Sequence, residues 1–309
     1  MLRKIAIVAA IVLTSRLASA APVSITACGN LAAPGSYQLA KNLTAAGNCL
    51  VLKTGRVTID LNGFSISGNG TGAAITDGGA QLSRIVIRNG DVLSFRTGID
   101  LSHSQVVTLE RLIVTNNQSG IQTGAGAVLR DSFAGWNNPR GGILLGDNCL
   151  ATGNRVNNNT GFALHVGNSC KVSGNNISAN QAGYAALDAG QNCVVTKNNV
   201  SKNTQSGIGV QDGSTVTDNL ASFNGTNGIL ASYASTITAN TASFNGNDGI
   251  STYPTSLISG NTVSANARFG FFAVCPANVV GNAARKNSTD TPDSNYHLVQ
   301  AGCVTANNL

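Results

Sequence analysis

The sequence predicts an all-β parallel β-helix solenoid with three short strands per coil of about 21 residues. Three observations predict it: a recurring asparagine pair, apolar residues alternating with polar ones, and a glycine–apolar pair in each unit. The first asparagines are Asn154, Asn175, Asn198, Asn219, Asn240, Asn261 and Asn282; the second are Asn159, Asn180, Asn203, Asn224, Asn245, Asn266 and Asn287. Repeats of this length stack along one axis, so each column of equivalent residues becomes a physical ladder.

The chain divides, on this reading, into four parts. Met1, Leu2, Arg3 and Lys4 precede an apolar run from Ile5 to Leu13 and then Ala18-Ser19-Ala20, the three regions of a secretory signal peptide over residues 1–20. Residues 21–56 and 288–309 lack the repeat and are expected to cap the solenoid, which would otherwise expose strand edges; residues 57–287 form the helix itself. No later apolar stretch is long enough to span a bilayer, so no membrane span is expected. Cleavage after Ala20 removes Arg3, Lys4 and Arg16, leaving 16 basic residues against 13 acidic and lowering the formal charge from +6 to +3. The remaining Lys and Arg are scattered, an argument against a nucleic-acid partner. Only 10% of the chain is charged, yet 42% is hydrophobic, enough regular Val and Ile to bury a continuous core.

Within a coil, the third residue before the first asparagine is Ala151, Val172, Val195, Val216, Ile237, Ile258 or Val279, flanked mostly by polar residues: a strand with one face buried. A second strand, between the asparagines, buries Val156, Ile177, Val200, Ala221, Ala242, Val263 and Ala284. A third begins at pairs such as Gly142-Ile143, Gly161-Phe162, Gly183-Tyr184 and Gly207-Ile208. Asparagine suits the bends because it tolerates left-handed backbone and its amide can bond the asparagine one coil away.

These Gly-Ile, Val-x-x-Asn and Asn units, over about residues 50–290, resemble the right-handed parallel β-helix proteins of the pectin-lyase-like superfamily, specifically bacterial secreted proteins built from generic β-helix repeats. The resemblance implies a right-handed coil. It leaves activity open, because that superfamily includes polysaccharide lyases, glycoside hydrolases, epimerases, adhesins and phage tailspikes.

All seven cysteines fall beyond residue 20. Cys28 with Cys49, and Cys275 with Cys303, are expected to bridge the two end segments. Cys149, Cys170 and Cys193 each lie five residues before a ladder asparagine, in a column continued by Ser214, Ser235 and Ser256. Coils about 4.8 Å apart allow one bridge there and leave one thiol. Three sulfurs in a line do not offer the tetrahedron zinc requires, so no metal and no cofactor is expected.

Chemistry is sought where the repeat breaks. Glu110 is the one glutamate, and neither paired acids for glycoside hydrolysis nor a glycine-rich calcium repeat is present. Counting four residues on from each glycine, with one added after Gly183, gives an outward row of Gly124, Gly146, His165, Asp188, Gln211, Ser232 and Tyr253. An imidazole oriented by a carboxylate is a usable general base, so His165 and Asp188 are the candidate catalytic pair. Gln211, Tyr233 and Tyr253 are candidate sugar contacts. Arg88, Glu110 and Arg130 share one column by spacing, as do Lys197 and Asp218; alternating signs predict solvated ion pairs, and Arg88 and Arg130 are candidate contacts for an anionic polymer. The leading expectation is a secreted or periplasmic monomer that binds an extracellular or cell-wall polysaccharide and processes it as a lyase, with a Lys or Arg outside the row neutralising the substrate carboxylate. The alternative is a non-catalytic surface or periplasmic scaffold or adhesin.

Overall fold

The computed structural model describes residues 21–288 and 294–309; the expected signal segment lies outside the described residues. They contain strands and no helix, from Val23–Ile25 to Val304–Ala306, so no helix is long and apolar enough to cross a membrane. The strands form two sheets, of 24 and 14 members, paired in parallel. A representative coil runs through Leu150–Thr152, Arg155–Asn157 and Thr160–Val166. Its first two strands join the larger sheet and its third joins the smaller one. The end segments also carry strands: Val23–Ile25 pairs with Gly35–Leu39, and Asn278–Val280 with Val304–Ala306.

The core is a stack of columns. Ala151, Val172, Val195 and Val216 lie one above another in register, all fully buried. Each buried aliphatic side chain contributes roughly 1.5–3 kcal/mol. At Gly228, a Cβ would stand 2.6 Å from the Gly249 carbonyl oxygen and 2.7 Å from Asn245 Nδ2. The glycine of the Gly-Ile pair is therefore the space into which a ladder asparagine packs.

Those asparagines hold the coils together. Asn175 Oδ1 accepts the backbone N–H of Asn154 at 2.9 Å and its side-chain amide at 3.0 Å, while Asn175 Nδ2 donates to the Ala151 carbonyl and to Asn198 Oδ1. The pattern repeats through Asn282 and ends on Asn308, whose Oδ1 accepts from both donors of Asn282. The second column begins earlier than its regular spacing suggests, at Asn117 and Asn137. The ladder asparagines themselves are not in the left-handed region. The residue ahead of each one is, with φ of 56° at Lys197, 57° at Phe223 and 66° at Gly153. The preceding residue absorbs the turn and frees the asparagine amide for cross-coil bonding.

Disulfides join Cys28 to Cys49, Cys149 to Cys170 and Cys275 to Cys303. Cys193 remains a buried free thiol that accepts the Cys170 N–H at 3.3 Å and lies 3.2 Å from the Gly167 carbonyl oxygen. Burial pushes the thiol up, against the smaller effect of the Cys170 and Ser169 N–H groups.

On the larger sheet, Asp60, Arg88, Glu110 and Arg130 stand in one column. Arg88 Nε lies 3.0 Å from Asp60 Oδ2, Arg130 Nε donates to Glu110 Oε2 at 2.8 Å, and Arg111 pairs with Glu110 Oε1 at 2.7 Å. Glu110 is only 5% exposed, so its pairs are partly buried rather than solvated. Lys197 and Asp218 stand one position further on, at the left-handed residue of the bend, and form no ion pair among the described residues. Burial alone would raise the Glu110 carboxyl, but the Arg130 hydrogen bond and the charges of Arg111, Arg130 and Arg88 outweigh it and hold the pKa below its ordinary value. At Asp60, the Asn89 amide, the Asn62 N–H and Arg88 likewise outweigh burial.

Three outcomes follow. Asn219→Ala strips the Asn198 N–H and amide of their common acceptor and should cost about 2–5 kcal/mol, read by urea unfolding. A carboxylate with depressed folded pKa stabilises the fold above its ordinary pKa and loses that contribution as pH falls through the folded value. Melting temperature should therefore drop below about pH 4, and Glu110→Gln should melt lower at neutral pH while losing part of that acid dependence. An undiminished acid drop in the variant would remove Glu110 as its source. Cys193 should resist thiol reagents in the native protein and react once it is unfolded.

Candidate functional site

Alternation in the third strands leaves one column of the smaller sheet facing outward: Asp100 pairs with Gln122, Gln122 with Leu144, Leu144 with His165, and His165 with Asp188. The column continues through Gly209 and Leu230, and further to Phe272 and His297. The expected neighbours His165 and Asp188 therefore do meet. The rest of the expected row is offset. Gln211, Ser232 and Tyr253 lie two residues past this column, in the bend, because Gly209 rather than Gln211 is the partner of Asp188.

The cause is a false match of the glycine–apolar pair in two coils. Leu164 and Leu187 are the register partners of Ile143 and Ile208, so Ala163-Leu164 and Ala186-Leu187 take the place of the Gly-Ile pair. Phe162 and Tyr184, expected to open the third strand as Ile143 and Ile208 do, are 49% and 60% exposed. Alanine in place of glycine hid the true register.

His165 Nδ1 lies 2.8 Å from Asp188 Oδ2. A carboxylate only accepts, so Nδ1 carries the proton and Nε2 of the neutral ring keeps a lone pair directed away from Asp188. The Phe162 ring packs 5.4 Å from the imidazole. On the other side, Asp188 lines a cleft of about 470 Å³ with Tyr184, Gln211, Leu230, Ser232 and Tyr253. The rings of Tyr233 and Tyr253 lie 5.2 Å apart. Burial, then the Asp188 charge and Tyr253, push the Tyr184 hydroxyl up, keeping it a hydrogen-bond donor. Five expected residues are thus brought together: His165, Asp188, Gln211, Tyr233 and Tyr253. Arg88 and Arg130 are not among them; both lie on the larger sheet with carboxylate partners.

Two further clefts open on the smaller sheet's face. One, of about 440 Å³, is lined by Gln122, Pro139, Arg140, Leu144 and Phe162 among others. The next, of about 320 Å³ and largely polar, has Asp77, Arg96, Asp100, His103, Gln122 and Arg140 in its lining. Gln122 and Arg140 belong to both, Phe162 connects the first to His165, and Asp188 continues into the third. Asp100 and Gln122 share the His165 column, so extending that column toward the N-terminus was the available signal; Arg96, His103 and Arg140 come from bends with no repeat to mark them.

The described fold has known counterparts. The A-module of the Azotobacter vinelandii mannuronan C-5 epimerase AlgE6 superposes with a TM-score of 0.69 at 17% identity, over 90% of this chain and 91% of that one. The periplasmic alginate epimerase AlgG gives a TM-score of 0.62 at 12% identity, over 86% of this chain and 76% of the other. At such identities the likeness is one of fold. No curated protein is detectably similar in sequence. The model of the right handed beta helix region matches residues 41–190, 72–242 and 185–308, which together take in most of the chain, and the protein belongs to that family.

Proposed function

We propose that this protein binds an extended polysaccharide along the outward face of its 14-stranded sheet. The observation that carries this reading is the sequence of three clefts joined by shared residues, Gln122 and Arg140 between the first two and the Phe162–His165–Asp188 contact leading to the third. A coil rise of about 4.8 Å is close to the advance of one sugar along an extended glycan, so successive coils present one set of side chains to each unit. Exposed rings at Phe162, Tyr184, Tyr233 and Tyr253 provide apolar faces for sugar rings, and Gln211 and Ser232 provide hydrogen bonds. The two epimerases named above act, as their names state, on mannuronan and alginate, which supports a polysaccharide ligand in general. Three disulfides fit an oxidising compartment, and we place the protein in the periplasm or outside the cell.

The catalytic proposal is narrower. In a lyase, His165 Nε2 takes the proton beside a uronate carboxylate, the electron pair forms the new double bond, and the glycosidic oxygen leaves. Asp188 holds the ring in the tautomer this requires and stabilises the imidazolium. A non-catalytic binding role is the second reading, favoured by one observation: no Lys or Arg lines the Asp188 cleft to neutralise the carboxylate.

Purified protein incubated with a panel of uronate and neutral polysaccharides separates the two. Catalysis is expected to release unsaturated products, followed by their ultraviolet absorbance and by reducing ends, and His165→Ala should abolish release while leaving retention on the immobilised glycan intact. Retention without release from any polymer identifies a binding protein; neither retention nor release removes the carbohydrate reading. Tyr253→Ala should weaken retention by up to about tenfold in either case.

A further inference from the structure

We propose that the N-terminal cleft of this groove is an anionic subsite, in which Arg96 and Arg140 take the carboxylate or sulfate ester of one sugar unit of an acidic polysaccharide. The proposal rests on the groove above and adds the charge of its ligand and the end at which that charge is read.

Four arginines outside this cleft are ion-paired, while among the described residues others, such as Arg56, Arg84 and Arg285, are not. Arg88 is held by Asp60, Arg111 and Arg130 by Glu110, and Arg268 by the fully buried Asp248. Arg96 and Arg140 line one cleft, and among the described residues neither has a carboxylate within ion-pair distance. A third cation stands at the rim: Lys53 Nζ is 3.8 Å from where a side chain on Gly78 would begin, and Gly78 lines the cleft.

Two carboxylates share the cleft, and Asp100 is the more accessible of them. Asp77 is 2% exposed, and its oxygens accept the Gly79 N–H at 2.9 Å, the His103 N–H at 3.1 Å and the Ser104 hydroxyl at 2.9 Å. Asp77 thus shapes the bend that presents His103. Asp100 accepts the Ser102 hydroxyl at 2.8 Å and the Ser102 N–H at 3.4 Å, and is half-buried at the wall. Three cations against two carboxylates leave the cleft net positive by one charge. The guanidinium fork matches the paired oxygens of a carboxylate or sulfate, which makes arginine the suited side chain for either.

The floor is bare. Gly72, Gly78 and Gly79 all have positive φ, and a Cβ on Gly79 would meet nothing within 4 Å. A sugar can therefore approach the backbone here, with Thr76 and Gln122 as neutral donors. The opposite end of the groove differs in sign. Its cleft has Asp188 and no Lys or Arg, so an anionic unit is drawn to the Arg96–Arg140 end and repelled from the Tyr184–Tyr253 end. The groove has an electrostatic direction.

The test measures retention of the intact protein on immobilised polygalacturonate, dextran sulfate and neutral glucomannan across a salt series. Wild-type protein is expected to hold at least one acidic polymer more tightly than the neutral one, with retention falling as salt rises. Retention of polygalacturonate alone identifies the carboxylate as the ligand group, and retention of dextran sulfate alone identifies the sulfate ester. Arg96→Gln and Arg140→Gln should each weaken acidic-polymer binding about tenfold without changing the melting temperature, and should lower acidic-polymer retention more than neutral-polymer retention; Arg88→Gln, whose arginine already has Asp60, should leave acidic binding unchanged. Acidic binding that survives the Arg96→Gln, Arg140→Gln double variant overturns the subsite, as does preference for the neutral polymer, and in both cases the groove itself stands. Single-stranded DNA held as tightly as the polysaccharides overturns the sugar assignment. Failure to retain any polymer overturns the groove and the subsite together.

Discussion

Everything in this solenoid depends on buried primary amides that bond coil to coil. A ladder asparagine gives its N–H and its amide to the oxygen of the next asparagine and reaches back to a carbonyl of the coil before, as Asn198 does with Asn219 and Val172. An unpaired buried amide is costly, so the ladder tolerates no slip: moving a coil by one residue would orphan two donors and an acceptor at each of two bends. Register is thereby set twice per turn, and the valine and isoleucine columns between the bends follow from it.

A register this rigid turns the outward faces into arrays. Whatever chemistry the protein has must be written along lines of residues about 4.8 Å apart, and it varies because the outward positions are free of the ladder's demands. The coil after Asn180 shows how variation enters. It carries two more residues than its neighbours before the third strand, and the short strand Gln181–Ala182 pairs with Thr160–Gly161 to accommodate them. That detour lifts Tyr184 over Asp188, so a cleft wall arises from an insertion that leaves Asn180 and Asn203 in their ladder.

The parts legible in the sequence are those the ladder enforces. Both asparagine columns, the buried Val and Ile columns, the Cys149–Cys170–Cys193 alignment and the Arg88–Glu110–Arg130 column are consequences of spacing, and the meeting of His165 with Asp188 came with them. The rest was obscured for physical reasons. Gly161-Phe162 mimics the buried pair, yet alanine tolerated at Ala163 puts the true pair two residues on and turns Phe162 to solvent. Ser132 and Asn308 complete a ladder from unequal spacings, so no fixed period finds them. Arg96, His103 and Arg140 converge from separate bends, and convergence of bends has no signature in a period.

The scarcity of charge gives each charged residue its meaning. In stacked coils the backbone can hold an acid and a base one coil apart within reach of each other, as Asp60 with Arg88 and Asp248 with Arg268 illustrate, although Lys197 and Asp218 stack without pairing. Arg130 shows that one carboxylate can serve two guanidiniums when Glu110 is shared with Arg111. Asp100 stands in the cleft with Arg96 and Arg140 and bonds neither, its oxygen going to Ser102 instead. His165 differs from these arginines in having Asp188 as its partner, which leaves the imidazole oriented. A groove with its oriented base at one position and its uncompensated cations at another is arranged along a polymer and not around a small molecule.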